Sequence, residues 1–263
     1  MTADRWTQAV RQQLGLGRLL PLGLALDGAW ISEEAAGSVL RRETAAVEGV
    51  RLGALRIALA DPDGAGTPAV PPPPSGLPPG PLRVTAEFRA SVDPTAPGVE
   101  PLPAVAARLR LAVVSAATRL LGLDVTEVDL RVTDLLEDED EASAAQPAGT
   151  ERGEPAAVPA DGARTGSLPR DPEEARIAAA VLAVPGVTRL ADSLGRPVHV
   201  ESAPPATEPA LPRRHVRVEL EVSGAERAVD VARAVRAAVT ETVRDTPSVA
   251  VLVTAVSEDA RHG

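Results

Sequence analysis

"AVLAVPGVTRL" (residues 180–190) has a counterpart far upstream in "TAAVEGVRLGAL" (residues 44–55). In both, an Ala-rich run meets Val-x-Gly-Val and then an Arg before the next Leu. The residues before each stretch have helical spacing. "WISEEAAGSVLRRETAAV" (30–47) sets Ile31, Ala35, Val39 and Leu40 on one face, with Glu33 and Glu34 early and Arg41 and Arg42 late, as the helix dipole prefers. "DPEEARIAAAVLAV" (171–184) offers Asp171 as N-cap, Pro172 at the first helical position, and Glu173 and Glu174 in the first turn. Glycine after such a helix suits a C-cap or the turn into a strand.

Each half continues in the same way. "PLRVTAEFRA" (81–90) and "HVRVELEV" (215–222) alternate apolar and polar residues, the pattern of a strand with one covered and one wet face. Long helical segments follow at 102–122 and 225–245, and Val-rich strands close the halves at 124–135 and 248–257. The landmark pairs Gly49 and Gly186, Val84 and Val218, and Arg108 and Arg233 are offset by 137, 134 and 125 residues. This drift of a dozen residues fits one module written twice with different loop lengths. The expected fold class is α+β: two small modules, each a sheet with helices packed on one face in helix-strand-strand-helix-strand order, joined by a disordered linker.

The expected divisions are an N-terminal helix and loop at 1–27, a first module at 28–136, a linker at 137–170, a second module at 171–257 and a tail at 258–263. The first module carries a Pro-rich insertion, "DPDGAGTPAVPPPPSGLPPGP" (61–81), which reads as an exposed polyproline II-like loop. The linker opens on the acidic run Glu137–Glu141 and lacks apolar periodicity. That run has neither the glycine nor the spaced oxygens of a calcium loop.

The 263 residues contain no Cys, Tyr or Lys, and their aromatics are Trp6, Trp30 and Phe88. Their cores must therefore be aliphatic, and no thiolate chemistry is available. The formal net charge is −10, and residues 137–170 carry half of it. Such a balance argues against nucleic acid or anionic lipid as a direct partner. "LGLGRLLPLGLAL" (14–26) is too short and too broken to span a bilayer, so no direct membrane insertion is expected. The chain is expected to be cytoplasmic.

The second half in particular, with "IAAAVLAVPGV" (177–187), "VRVELEV" (216–222) and "VDVARAVRAAV" (229–239), resembles the alkaline-shock-protein family of bacterial envelope stress response proteins. The first half is a more diverged copy. The whole chain is also similar to an actinobacterial-type group, from GC-rich Gram-positive bacteria, that often carries a nucleopolyhedrovirus label; that label says nothing about function. The resemblance implies small α/β scaffolds without known catalytic residues, cytoplasmic, self-associating, and held beneath the membrane by an anchored protein partner. A fused pair departs from the single-module pattern of the family.

No catalytic, cofactor-binding or metal-binding residue is expected. His199, His215 and His262 show no metal-ligand spacing. "GLGRLLPLG" (15–23) is not a dinucleotide fingerprint, Ser38 falls mid-helix rather than in a nucleophile elbow, and Glu33 and Glu34 diverge on a helix. Trp6 and Trp30 are the candidate partner-binding residues: they either dock the N-terminal helix on the first module or present an exposed anchor. The expectation is a non-enzymatic interaction or scaffold protein acting through protein–protein contacts. The alternative is an RNA- or ribosome-associated small α/β module, although Arg83, Arg89 and Arg217 interleave with Glu87, Glu219 and Glu221 and no aromatic platform accompanies them.

Overall fold

In chain order the elements are β1 (Leu19–Leu22), β2 (Ala29–Ser32), α1 (Glu33–Thr44), β3 (Val50–Leu59), β4 (Leu82–Ser91), α2 (Leu102–Ala116), β5 (Val125–Leu136), α3 (Pro172–Leu182), β6 (Val187–Leu190), β7 (Val198–Ala203), β8 (Arg213–Ser223), α4 (Ala228–Thr242) and β9 (Ser248–Ser257). A π-type turn, Ala117–Leu121, continues α2. The structure is a computed structural model that describes residues 16–91, 100–136, 171–203 and 213–258. The expected N-terminal helix with Trp6, the linker at 137–170, and the tail beyond residue 258 with His262 lie outside the described residues.

The fold is α+β with two mixed sheets. In the first, β3 pairs antiparallel with β4, which pairs parallel with β5. In the second, β8 lies parallel to β9 and takes both β6 and β7 antiparallel on its other side. β6 covers Leu220–Val222 and β7 covers Arg213–Val218, so they behave as one edge strand interrupted by residues 191–197. The second half thus places three strands between its helices, where the sequence reading placed two.

Local chemistry accounts for the element boundaries. Asp171 caps α3 by accepting from Glu173 N at 3.0 Å, with Pro172 behind it. Gly49 (φ 70°) and Gly186 (φ 86°) adopt the left-handed conformation immediately before β3 and β6. A Cβ on Gly186 would stand 2.7 Å from Val231 Cγ2, so close helix packing requires glycine there. In β4, Leu82, Val84, Ala86, Phe88 and Ala90 are buried while Arg83, Thr85, Glu87 and Arg89 point outward.

The N-terminal segment departs from the helix and loop expected at 1–27. Residues 19–22 and 29–32 form a hairpin that joins the second sheet, with β2 parallel to β9 in the register Ala29 to Val251 and Ile31 to Val253. Trp30 and Ile31, read as the start of a helix, are strand residues, and Ser32 is the N-cap of α1. Helix α1 packs against β9 of one sheet and against β3 of the other. One continuous apolar core runs from Val84, Phe88 and Leu109 through Ala36 and Leu40 to Val218, Val235 and Val251. At roughly 1.5–3 kcal/mol for each fully buried aliphatic side chain, this shared core binds the halves together.

The second sheet is covered on both faces, contrary to the single wet face expected from "HVRVELEV". Its far face holds Leu16, Leu19, Trp30, Val70, Ala250 and Leu252 in a second apolar cluster. The Pro-rich segment is a loop with most of its residues exposed, as expected, but it docks on this face at Val70 and Leu77. Val70 is buried, Leu77 N donates to Leu19 O at 2.8 Å, and Gly66 N donates to Pro79 O at 2.7 Å. On the same sheet Arg217 and Glu219, expected in water, are largely buried, with residues 191–197 bonded to Glu219.

Candidate functional site

The first sheet keeps an open face. On β4 it presents Arg83, Thr85, Glu87 and Arg89, flanked on β5 by Glu127, Asp129, Arg131 and Asp134 in register. Most of its charges are complementary across strands: Arg83 stands 2.6 Å from Glu127 and 3.7 Å from Asp129, and Glu87 registers with Arg131. Exposed pairs of this kind contribute at most about 1 kcal/mol each, so they set a charge pattern more than a stability.

The pattern breaks at one end of the sheet. Where β3 begins and β4 ends, Arg51 lies directly across from Arg89. Arg41, in the last turn of α1, borders the same opening. These three side chains, with Val47, Glu48 and Gly49, line an open groove of about 560 Å³. Among the described residues no ion pair joins Arg41, Arg51 or Arg89 to a carboxylate. Like charges directly opposed on a strand pair are destabilising, so this end of the sheet carries an excess of positive charge.

Trp30, one of the two candidate partner residues, is 2% exposed. Its Nε1 donates to Leu77 O at 3.0 Å, and its ring belongs to the cluster that the Pro-rich segment covers. Trp6 lies outside the described residues.

Sequence reasoning placed Glu219 in solvent, yet its side chain is fully buried. Residues 191–197 wrap it: Ala191 N donates to Glu219 O, Glu219 N donates to Pro197 O, and Leu194 N donates to Glu219 Oε2 at 2.8 Å. Arg217 Nε stands 3.4 Å from Glu219 Oε1 without hydrogen-bond geometry, and neither atom has another partner. Burial pushes the Glu219 carboxyl up to about 7, against the opposing pull of the Leu194 amide and Arg217. Nothing in the alternation of "HVRVELEV" signals this, because the cover comes from segments distant in sequence.

The histidines sit nearby on β7 and β8. His199 Nε2 is 2.6 Å from Glu201 Oε1, and this bond holds the Glu201 carboxyl below its ordinary range. His215 Nδ1 is 2.9 Å from Ser248 Oγ, and burial lowers its pKa. Ser248 Oγ also lies 3.4 Å from Arg214 O, so the pair ties β8 to the start of β9. Among the described residues no group of three or more His, Asp or Glu is arranged to hold a metal ion. Glu33 Oε1 accepts from Ile57 N at 2.9 Å, and Ser38 Oγ donates to Ala35 O at 2.8 Å, so both serve the backbone. Gly17 and Gly23 flank β1 rather than forming a phosphate loop after a strand.

No helix among the described residues is long and apolar enough to cross a membrane. Comparison with protein-family models, with curated proteins and with solved structures returns no match.

Proposed function

We propose that this chain is a non-enzymatic scaffold protein of the envelope-stress type, built from two alkaline-shock-like modules and working through protein–protein contacts. One observation carries the reading. In each half a helix ends before a left-handed glycine, an antiparallel edge pairs with a central strand, and a strand reached through a long helix pairs parallel on its other side. A shared pairing pattern supports duplication more strongly than the motif "VxGV" does alone. On this reading the module nearest the C-terminus is structural, with both sheet faces covered. The other module offers its open charged face to a partner. The protein acts in the cytoplasm and reaches the membrane through a membrane-anchored partner.

The test is affinity capture with the full chain beside a charge-reversed face variant, Arg83→Glu with Arg131→Glu. The expected result is a specific protein that the unaltered chain retains and the variant loses. Recovery of RNA in place of protein, with retention abolished by ribonuclease, would overturn the proposal in favour of an RNA-associated module.

A further inference from the structure

We infer that the groove between the last turn of α1 and the β3–β4 ribbon is a docking site for an acidic peptide segment of the partner protein. The inference rests on the scaffold reading and specifies the chemistry of its contact.

The argument begins with the exception in the charge pattern. On the open face, Arg83 faces Glu127 and Arg131 faces Glu87, each cation met by an anion across the strand. Arg89 likewise registers with Asp134 on β5, but across the other strand pair it faces Arg51. Directly opposed side chains on an antiparallel pair come within about 4.5–5.5 Å at Cβ, so two guanidiniums there repel at short range unless an anion lies between them. Arg41, from α1, also lines the groove, with its guanidinium lying back beside Gly37. The nearby carboxylates are Glu48, on the groove wall, and Asp134, the register neighbour of Arg89, which leaves the three arginines in excess.

The shape of the groove selects among anions. Guanidiniums from a helix and two strands, spread along an open groove, suit several carboxylates on an extended chain. A single small anion is better held by a tight nest of backbone amides. Ala45, Val47 and Leu52 add apolar wall between the charges, which fits an aliphatic side chain interleaved with the acids. No aromatic residue lines the groove to stack a base, so a nucleic acid strand is a poor occupant.

The experiment uses the full chain and a fluorescein-labelled peptide of alternating Glu and Leu, followed by anisotropy at low ionic strength, with the Gln-Leu peptide as control. The expected result is binding of the acidic peptide alone, weakening as salt is added. Arg51→Gln and Arg89→Gln should each lose about tenfold in affinity, as befits a charged hydrogen bond. Arg176→Gln, exposed on α3 and outside both the groove and the open sheet face, should change it by less than about twofold. Equal binding of both peptides, or indifference to Arg51→Gln and Arg89→Gln, overturns the inference. So does full displacement of the peptide by an equal concentration of inorganic phosphate, which would mark a small-anion site. Binding that emerges only when Glu137–Glu141 are replaced by Gln assigns the groove to the chain's own acidic run and overturns the partner assignment. A captured partner that survives the Arg51→Gln, Arg89→Gln double variant sinks the groove and leaves the scaffold reading intact. Acidic-peptide binding by a chain that captures no protein does the reverse.

Discussion

The hydroxyl of Ser32 donates to the carbonyl of Thr254 at 3.0 Å and accepts from the amide of Ala35 at 3.1 Å. A single buried oxygen therefore caps α1 and fastens its first turn to β9, two elements that belong to different halves of the chain. Ser32→Ala should lower stability by about 1–2 kcal/mol, in the upper range for lost caps. Urea unfolding followed by circular dichroism checks this. The loss should appear as a shift of one cooperative transition, because the core on either side of α1 is continuous. A variant that splits into two transitions would show the halves to be separable.

Glu219 makes stability depend on pH with a definite sign. Its carboxyl is raised in the native state from 4.5 to about 7, so the folded chain holds a proton there that the unfolded chain releases. Stability should therefore fall as pH rises from about 4.5 to about 7, by at most about 1.4 kcal/mol per pH unit from this group. His215, whose pKa is lowered by burial, works the other way below its ordinary 6.5. The difference between the chain and Glu219→Gln isolates the carboxyl: the variant should gain stability relative to wild type above pH 7 and lose that gain near pH 4.5. Parallel thermal-melt profiles would remove Glu219 from the account.

Trp30 holds the Pro-rich segment by one hydrogen bond and by its ring. Trp30→Phe keeps most of the ring and deletes the Nε1 donor to Leu77, which should cost about 1 kcal/mol for the bond. Limited proteolysis supplies the local readout. Cleavage within 61–81 should quicken in the variant by more than global destabilisation explains, since that segment loses its anchor first.

Arg51→Gln should raise stability, by about 0.2–1 kcal/mol, because it removes one member of an opposed pair of like charges. The gain should shrink in high salt, where the repulsion is already screened. A binding-site residue whose removal stabilises the fold is the signature of charge held for a ligand.

The readable parts of this fold are those decided within a few neighbouring residues. Asp171–Pro172 announces its helix, Gly186 announces the turn before β6, and the alternation from Leu82 to Ala90 matches burial residue by residue. The unreadable parts depend on what arrives from elsewhere. β1 and β2 have four residues each, too few for a period to register, and they exist as strands because β9 offers an edge. Arg217 and Glu219 alternate like solvent residues, and only the arrival of 191–197 and of the Trp30 cluster makes their face an interior. The arginine groove was half visible. Arg89 could be assigned to a wet face, but its opposition to Arg51 depends on strand register, which is set by the bulge between Leu52 and Leu55.

The pairing of β2 with β9 also governs the order in which the protein can be completed. The Ser32 hydroxyl waits for a carbonyl 222 residues downstream. A ribosome therefore delivers the hairpin long before its parallel neighbour β9, and until then one edge of β2 and the β9-facing side of α1 stay bare. The first half, cut out by itself, would inherit that bare surface permanently. Long-range closure of this kind slows folding and leaves sticky edges in the interval. Nascent chains truncated before residue 248 should therefore aggregate or recruit chaperones, and chains that include Ser248–Ser257 should not.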